Sequence, residues 1–450
     1  MKISVIGLGK LGLPLTAVMA SKGHDVIGVD LNTEVVKQLN AGIAWIQEVG
    51  LQALITQYKN KITATTDYQH AISNSDVSFV IVPTPSNADG VFDNKYILAA
   101  IQQIGHALRN KKSYHLIVIT STVMPGSTGG EIQRTLETAA GRPMGETLGL
   151  CYSPEFIALG SVIKNMLYPD AILIGESDKK AGDLLAQIYL SSCNNKPPVQ
   201  RLNFVNAELT KLAVNTFVTT KISYANMLSD ICDRLPGADV DVVTNAIGCD
   251  SRIGHKYLRG GVAYGGPCFP RDNIAMTTLA KTLGAKADLA IATDTLNRYQ
   301  TNRVVARIQR YPHKKSIAIL GLAYKPDVNV VENSQGIRLA NQLVEHNYQV
   351  SVYDPVALHA AKQDLVETVI IAESMSQCIK NADIVVIMTA WPLFADKLMT
   401  ELLQLHDKRR VIIDCWRLLQ KEKLVNVADV VYLGQGNDEI EERVAKVVTA

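Results

Sequence analysis

The segment Gly7-Leu8-Gly9-Lys10-Leu11-Gly12 constrains the fold more than any other part of the chain, because of what flanks it. A β-rich run, 3–6, precedes it and a helical stretch, 13–21, follows. In a G-x-G-x-x-G loop so placed, the first glycine permits a tight turn and the second lets the backbone approach a pyrophosphate. The third lets the helix pack closely on the strand, with its N-terminus facing the phosphates. The next β-rich run, 26–29, ends at Asp30, where a carboxylate binds ribose hydroxyls and repels a 2′-phosphate. No arginine follows closely, so the pattern predicts NAD rather than NADP, held by Gly7, Gly9, Leu11, Gly12 and Asp30. The alternative is a tight strand–helix turn with no ligand.

Further β-rich runs at 79–82, 116–120 and 172–174 alternate with helix-length segments, which predicts a parallel sheet covered on both faces. The alternation stops after Lys196-Pro197-Pro198. From 203 to 235 there is neither proline nor glycine, the pattern of one long helix or two stacked ones. Strand-like runs resume after Tyr311-Pro312 at 316–320, 350–353, 384–388 and 411–413, with Gly321 closing the first. The predicted class is α/β, with two Rossmann-like doubly wound domains joined by a central helical domain. The expected boundaries are 1–198, 199–311 and 312–450.

A chain of 450 residues is too long for one core, and 47% apolar content supports several. The 45 basic and 43 acidic residues are interspersed, so the net charge of +2 marks neither a nucleic-acid nor a membrane surface. The start lacks a secretory pattern, and no apolar run approaches the roughly 20 residues of a membrane helix. Seven cysteines without a C-x-x-C pair indicate neither a disulfide framework nor a metal site, and point to a reducing cytoplasm.

The chemistry concentrates in the middle of the chain. In Gly265-Gly266-Pro267-Cys268-Phe269-Pro270-Arg271-Asp272, glycines and prolines hold a thiol in an irregular loop, ahead of a predicted helix at 274–283. The positive end of a helix and a nearby arginine favour thiolate. Taken alone, Cys268 reads equally as a nucleophile or a buried filler, and Asp272 as an N-cap residue. In the long helix, Glu208, Lys211 and Asn215 fall within about 60° of one another at ~100° per residue. They border the apolar stripe Val205, Leu209 and Leu212. A lysine there is either an ordinary surface cation or a partly desolvated one suited to proton transfer. Pro83-Thr84-Pro85, the segment from Ser121 to Gly126, and Ser153-Pro154-Glu155-Phe156 end strands of the first sheet, where open α/β folds bind ligands.

In combination these segments resemble the UDP-glucose/GDP-mannose dehydrogenase family over nearly the whole chain. GLGKLGLP at 7–14, PTP at 83–85, STVMPG at 121–126, SPEF at 153–156, ELTKLAVNTF at 208–217, GGPCFPRD at 265–272 and GLAYKPD at 321–327 follow the family's order. The resemblance implies an N-terminal NAD domain, a central dimerisation region and a C-terminal domain for the nucleotide of a nucleotide sugar. It also implies oxidation of the sugar's C6 alcohol to a carboxylate, with two NAD per turnover and Cys268 holding the aldehyde. By that likeness Lys211 and Asn215 stabilise an oxyanion, and Asp272 acts as acid–base. Thr122 and Glu155 position water, Glu155 also as a general base, while Thr84, Pro85 and Thr122 belong to the cofactor site. Glu155, Phe156, Lys211, Asn215, Arg252, Lys256, Tyr257, Gly265 and Lys325 belong to the sugar-nucleotide cleft.

A UDP-sugar is favoured, UDP-glucose first, then UDP-N-acetylhexosamines and GDP-mannose. Leu159, Glu332, Gln335 and Asp414-Cys415-Trp416-Arg417 depart from the commonest family pattern. Apolar residues along 203–235 predict a homodimer through the central region. Two other classes compete. Rossmann dehydrogenases of small β-hydroxy acids use a helix lysine and asparagine but need no cysteine. An NAD-sensing scaffold has no use for Cys268, Lys211 and Asp272 together.

Overall fold

In the computed structural model, which describes residues 1–405 and 408–436, the chain divides into two compact units, Met1–Ala213 and Val214–Ala450. The first is built on eight strands: β1 (Lys2–Ile6), β2 (Asp25–Val29), β3 (Ile62–Thr65), β4 (Val77–Val80), β5 (His115–Ile119), β6 (Leu148–Tyr152), β7 (Ile172–Glu176) and β8 (Val199–Leu202). Their order is β3-β2-β1-β4-β5-β6-β7-β8, and all neighbours are parallel except β6 and β7. Strands β4, β5 and β6 are buried along their whole length, as both faces of the sheet carry helices. That is why they read as near-continuous apolar runs. Two polar residues of these strands, Ser78 and His115, bond to each other. Ser4 Oγ lies 2.7 Å from Ser78 Oγ, which lies 2.7 Å from His115 Nε2. Burial pushes His115 down to about 3, so this imidazole stays neutral.

The second unit opens with helices and ends in a wholly parallel sheet. Its strands are β9 (Ser316–Leu320), β10 (Gln349–Tyr353), β11 (Ile370–Ile371), β12 (Ile384–Ile387), β13 (Arg410–Asp414) and β14 (Ala428–Tyr432). The order is β11-β10-β9-β12-β13-β14. The direction of winding therefore reverses between β1 and β4 in one sheet and between β9 and β12 in the other, and ligands of such sheets bind at those crevices. The expected class, two doubly wound sheets with a helical region between them in sequence, is the observed one.

Residues expected as one helix or two form a single helix, Phe204–Cys232. Its stripe differs from expectation: Leu212 is buried, but Val205 and Leu209 are exposed. Beyond this helix, Asp233 takes Nη2 of Arg303 at 2.6 Å, Nη2 of Arg307 at 2.9 Å and the N–H of Gly434 at 2.7 Å. These three side chains are nearly inaccessible, so loss of either arginine strands a buried charge. The pairs fix the helix Asp288–Ile308 against the end of the long helix.

Candidate functional site

In the first unit the glycine-rich loop meets the demands of a dinucleotide site. Gly7 takes φ +96°, and a Cβ there would lie 2.3 Å from the carbonyl oxygen of Ile81. At Gly12 a Cβ would lie 1.8 Å from the Gly7 oxygen, so strand and helix touch through backbone. Gly9 faces open space, with nothing within 4 Å of its missing Cβ, which is the approach a pyrophosphate needs. The helix Gly12–Ser21 begins at the third glycine, with Leu11 at its N-cap position. Asp30 follows β2 and accepts the Leu8 N–H at 2.8 Å and the Asn32 N–H at 2.9 Å. Its carboxylate is thereby aimed beside the loop, where ribose hydroxyls sit.

The strand-end segments are tied to one another and to the long helix. Thr84 Oγ1 donates to the Thr122 carbonyl at 2.8 Å, and Pro85 accepts the Asp93 N–H through its own carbonyl at 2.8 Å. Glu208, which the sequence placed on the chemical face of the helix, anchors the loop after β5. It accepts the Gly126 N–H at 2.6 Å and the Thr128 N–H at 2.7 Å, and is fully buried.

Lys211, three residues on, is also buried, and its Nζ donates to the Glu155 carbonyl at 2.7 Å. The same ammonium lies 4.7 Å from the centroid of the Phe156 ring. Burial raises the Glu155 carboxyl to about 7, against the opposing pull of the Lys211 charge. A carboxyl poised near neutrality beside a fixed ammonium can exchange a proton with water at working pH.

In the second unit the cysteine loop is held from both sides. Two buried asparagines on neighbouring helices pair with it as a strand would. Asn226 accepts the Gly261 N–H at 2.8 Å and donates to the Val262 carbonyl at 3.0 Å. Asn297 accepts the Tyr264 N–H at 2.9 Å and donates to the Tyr264 carbonyl at 3.0 Å. From the other side the Gly266 N–H donates to the Glu332 carbonyl at 2.8 Å. A Cβ on Gly265 would lie 2.5 Å from the Asn333 oxygen, and one on Gly266 would lie 2.8 Å from the Tyr324 ring. Lys325 Nζ stands 5.8 Å from the centroid of that ring, which places it beside the loop.

The helix after the loop begins earlier than its sequence suggests. It spans Phe269–Thr282, with exposed Cys268 at its N-cap position, because Pro270 suits a first turn, where no N–H is required. Asp272 is therefore not the cap residue. Its N–H bonds back to the Cys268 carbonyl at 2.9 Å, and its carboxylate is buried inside the first turn. There it accepts Asn215 Nδ2 at 2.5 Å and Arg271 Nε at 3.3 Å. Asn273 donates to Thr219 Oγ1 and to Tyr264 Oη, each at 2.8 Å, adding a second tie between this turn and the long helix.

Arg252, Lys256 and Tyr257 are on an exposed turn, where Arg252 makes a two-pronged pair with Asp250 and Tyr257 takes φ +64°. Thus Glu155, Phe156 and Lys211 come together in one unit, and Cys268, Asp272, Asn215, Gly265 and Lys325 in the other. Among the departures, Leu159 packs on the first unit's core and Gln335 accepts Thr301 Oγ1 at 2.8 Å. Asp414 caps its turn through the N–H groups of Trp416, Leu418 and Leu419.

Three models of the UDP-glucose/GDP-mannose dehydrogenase family match in order: the NAD binding domain over residues 1–192, the central domain over 205–299 and the UDP binding domain over 318–421. The chain is 36% identical to the UDP-glucose 6-dehydrogenase AglM of Haloferax volcanii over 400 residues, covering 88% of this chain and 92% of that one. It is 32% identical to a GDP-mannose 6-dehydrogenase of Pseudomonas putida over 402 residues, covering 86% and 90%. The structure of a UDP-glucose dehydrogenase from the archaeon Pyrobaculum islandicum superposes with a TM-score of 0.87 at 31% identity, covering 96% and 98%. With all three domain models in order and relatives alike over nearly their full length, the chain belongs to the UDP-glucose/GDP-mannose dehydrogenase family, the NAD-dependent nucleotide-sugar 6-dehydrogenases.

Proposed function

We propose that the protein oxidises the C6 alcohol of UDP-glucose to the carboxylate of UDP-glucuronate, with Cys268 as the covalent catalyst. The observation that carries this reading is the turn in which Cys268 stands at the N-cap position of a helix whose buried Asp272 is bonded to Asn215. Gly7, Gly9, Gly12 and Asp30 would hold the cofactor, which when bound would supply the hydride acceptor for each of the two oxidations. Lys211 and Asn215, one turn apart on one helix, stabilise the oxyanion as the alcohol loses its proton and hydride. The Cys268 sulfur then adds to the aldehyde carbon, giving a thiohemiacetal whose hydroxyl Asp272 helps to deprotonate. Loss of the second hydride leaves a thioester. Glu155, with Thr122 placing the water, takes a proton from that water as it attacks the carbonyl and expels the thiol. One alcohol, one water and two NAD+ give one carboxylate, two NADH and three protons.

Lys325, Gly265, Arg252, Lys256 and Tyr257 bind the nucleotide-sugar side in this reading, and the chain divides functionally at 1–198, 199–311 and 312–450. None of the seven cysteines is in a disulfide, which leaves the Cys268 sulfur available as a thiol. Exposed Phe217, Tyr224 and Ile231 repeat every seventh residue on the long helix, a stripe suited to pairing two copies as a homodimer.

UDP-glucose is supported by the name of the relative at 36% identity and by the UDP binding model; the GDP-mannose relative supports GDP-mannose as a second reading. A panel of UDP-glucose, UDP-N-acetylhexosamines and GDP-mannose, scored by NADH formation, separates them. A kcat/KM for UDP-glucose below that for another member overturns the choice. Cys268→Ser is expected to lower acid formation by several orders of magnitude while both ligands still bind. Acid made at a rate near wild type returns Cys268 to loop packing.

A further inference from the structure

The segment 43–50, between the helices Thr33–Ala41 and Leu51–Gln57, lies outside every role assigned above. Its residues alternate: Ala44, Ile46 and Glu48 turn inward, while Ile43, Trp45, Gln47 and Val49 are exposed. Ala44 and Ile46 pack on the same core cluster as Ile157 and Leu159, the residues that follow Glu155 and Phe156. One end of the segment is pinned by Gln52, which accepts the Ala44 N–H at 2.9 Å and donates to the Gly42 carbonyl at 2.8 Å.

Two further contacts give this strap its direction. The Trp45 indole N–H donates to the Leu8 carbonyl at 2.9 Å, and the Leu8 N–H is the one that Asp30 accepts. Three residues later, Glu48 receives the Gly160 N–H on one oxygen and the Val162 N–H on the other, both at 2.9 Å. These two donors flank Ser161, at the end of the loop that carries Glu155. That loop follows β6 and runs from 153 to 161 with no ladder partner of its own. Lys211 holds it at the Glu155 carbonyl, and Glu48 holds it at the far end.

We infer that Glu48 is a positioning residue for Glu155, and that the strap 43–50 sets the Glu155 loop in register with the dinucleotide loop. A carboxylate is the group that suits the position, because each of its oxygens accepts one of two N–H groups and it brings no donor of its own. The inference rests on the reading of Glu155 as the base that activates water.

Glu48→Gln in the full-length enzyme keeps the shape, but offers one acceptor oxygen and turns an NH2 group toward an N–H. It is expected to lower kcat at least tenfold. It should also move the midpoint of the kcat–pH limb near neutrality by half a unit or more, with the KM for NAD within twofold of wild type. Glu48→Asp, which reaches only one of the two N–H groups, should fall between, and serves alone if Glu48→Gln does not fold. A lower Tm with kcat and the limb unchanged overturns the inference. Glu155→Gln separates it from the reading beneath it. If that variant loses the limb while the Glu48 variants keep it, positioning by Glu48 is wrong and the base assignment stands. If Glu155→Gln keeps the limb, the base assignment fails and the inference with it.

Discussion

The raised Glu155 carboxyl has a thermodynamic consequence that Glu155→Gln exposes. Its value moves from 4.5 to about 7 in the folded protein, chiefly through burial. Between those values the folded state holds more protons than the unfolded one, so stability falls as pH rises through the window. At about 1.4 kcal/mol per unit, the full displacement corresponds to roughly 3 kcal/mol, absent below pH ~4.5 and complete above pH ~7. Because Glu155 keeps part of its surface accessible, the measured figure should be nearer 2 kcal/mol. Glutamine carries no such penalty, so only its constant offset from wild type reflects shape and hydrogen bonding. Urea unfolding of the first unit, followed by pulse proteolysis at pH 5 and pH 8, gives the double difference directly. Wild type should lose about 2 kcal/mol more than Glu155→Gln between the two pH values. Parallel pH dependences, within about 0.5 kcal/mol, would show that Glu155 ionises as an ordinary carboxyl and cannot serve as a base near neutrality.

Asp30 beside the Leu8 N–H should favour NAD over NADP by well over tenfold in kcat/KM, and equal values would remove its assigned role. Gly265→Ala puts a methyl 2.5 Å from the Asn333 oxygen, so kcat should fall at least a hundredfold with NAD binding kept, and a near-normal kcat would show that the loop has slack. Phe217→Asp should convert a dimer to a monomer on light scattering at micromolar concentration, whereas a fully active wild-type monomer would refute the pairing stripe.

Most of the fold was legible because parallel strands buried on both faces leave runs such as Leu116 to Ile119 that nothing else explains. The cysteine loop stood out because glycine, proline and cysteine are packed into one short stretch, although those residues alone left Cys268 open between nucleophile and filler. The start of the following helix was misplaced, since Asp272 has the chemistry of a cap while Pro270 has the geometry of a first turn, and geometry prevailed. What the sequence does not show is which groups hold the site. Asn226 and Asn297 are ordinary helix residues until their amides are seen paired with the cysteine loop. Glu208 lies on the face of Lys211, yet its partners Gly126 and Thr128 are some eighty residues away. Such partners are set by tertiary packing, which no local spacing encodes.

The second sheet shows why only one of two similar crevices suits a dinucleotide. After β9, the Gly321 N–H bonds to the carbonyl at the end of β10, as the Gly7 N–H bonds to the carbonyl at the end of β2. A Cβ on Gly336 would lie 2.1 Å from the Gly321 oxygen, repeating the contact of Gly12 with Gly7. An aspartate follows the second strand in both cases, Asp30 in one and Asp354 in the other. Asp354, however, is 1% exposed and accepts the N–H groups of Leu322, Ala323, Val356 and Ala357 at 2.8–3.0 Å, with the Trp391 indole at 3.4 Å. Its lone pairs are committed to closing its own turns, and a ribose would have to break several of those bonds to reach it. The loop between Gly321 and Gly336 is also far longer than that between Gly7 and Gly12, and it is this added length that carries Tyr324, Glu332 and Asn333 against the cysteine loop. One strand–loop–helix joint thus serves two ends. Kept short, with its aspartate accessible, it receives a cofactor; lengthened, with its aspartate sealed, it braces the loop that carries the thiol.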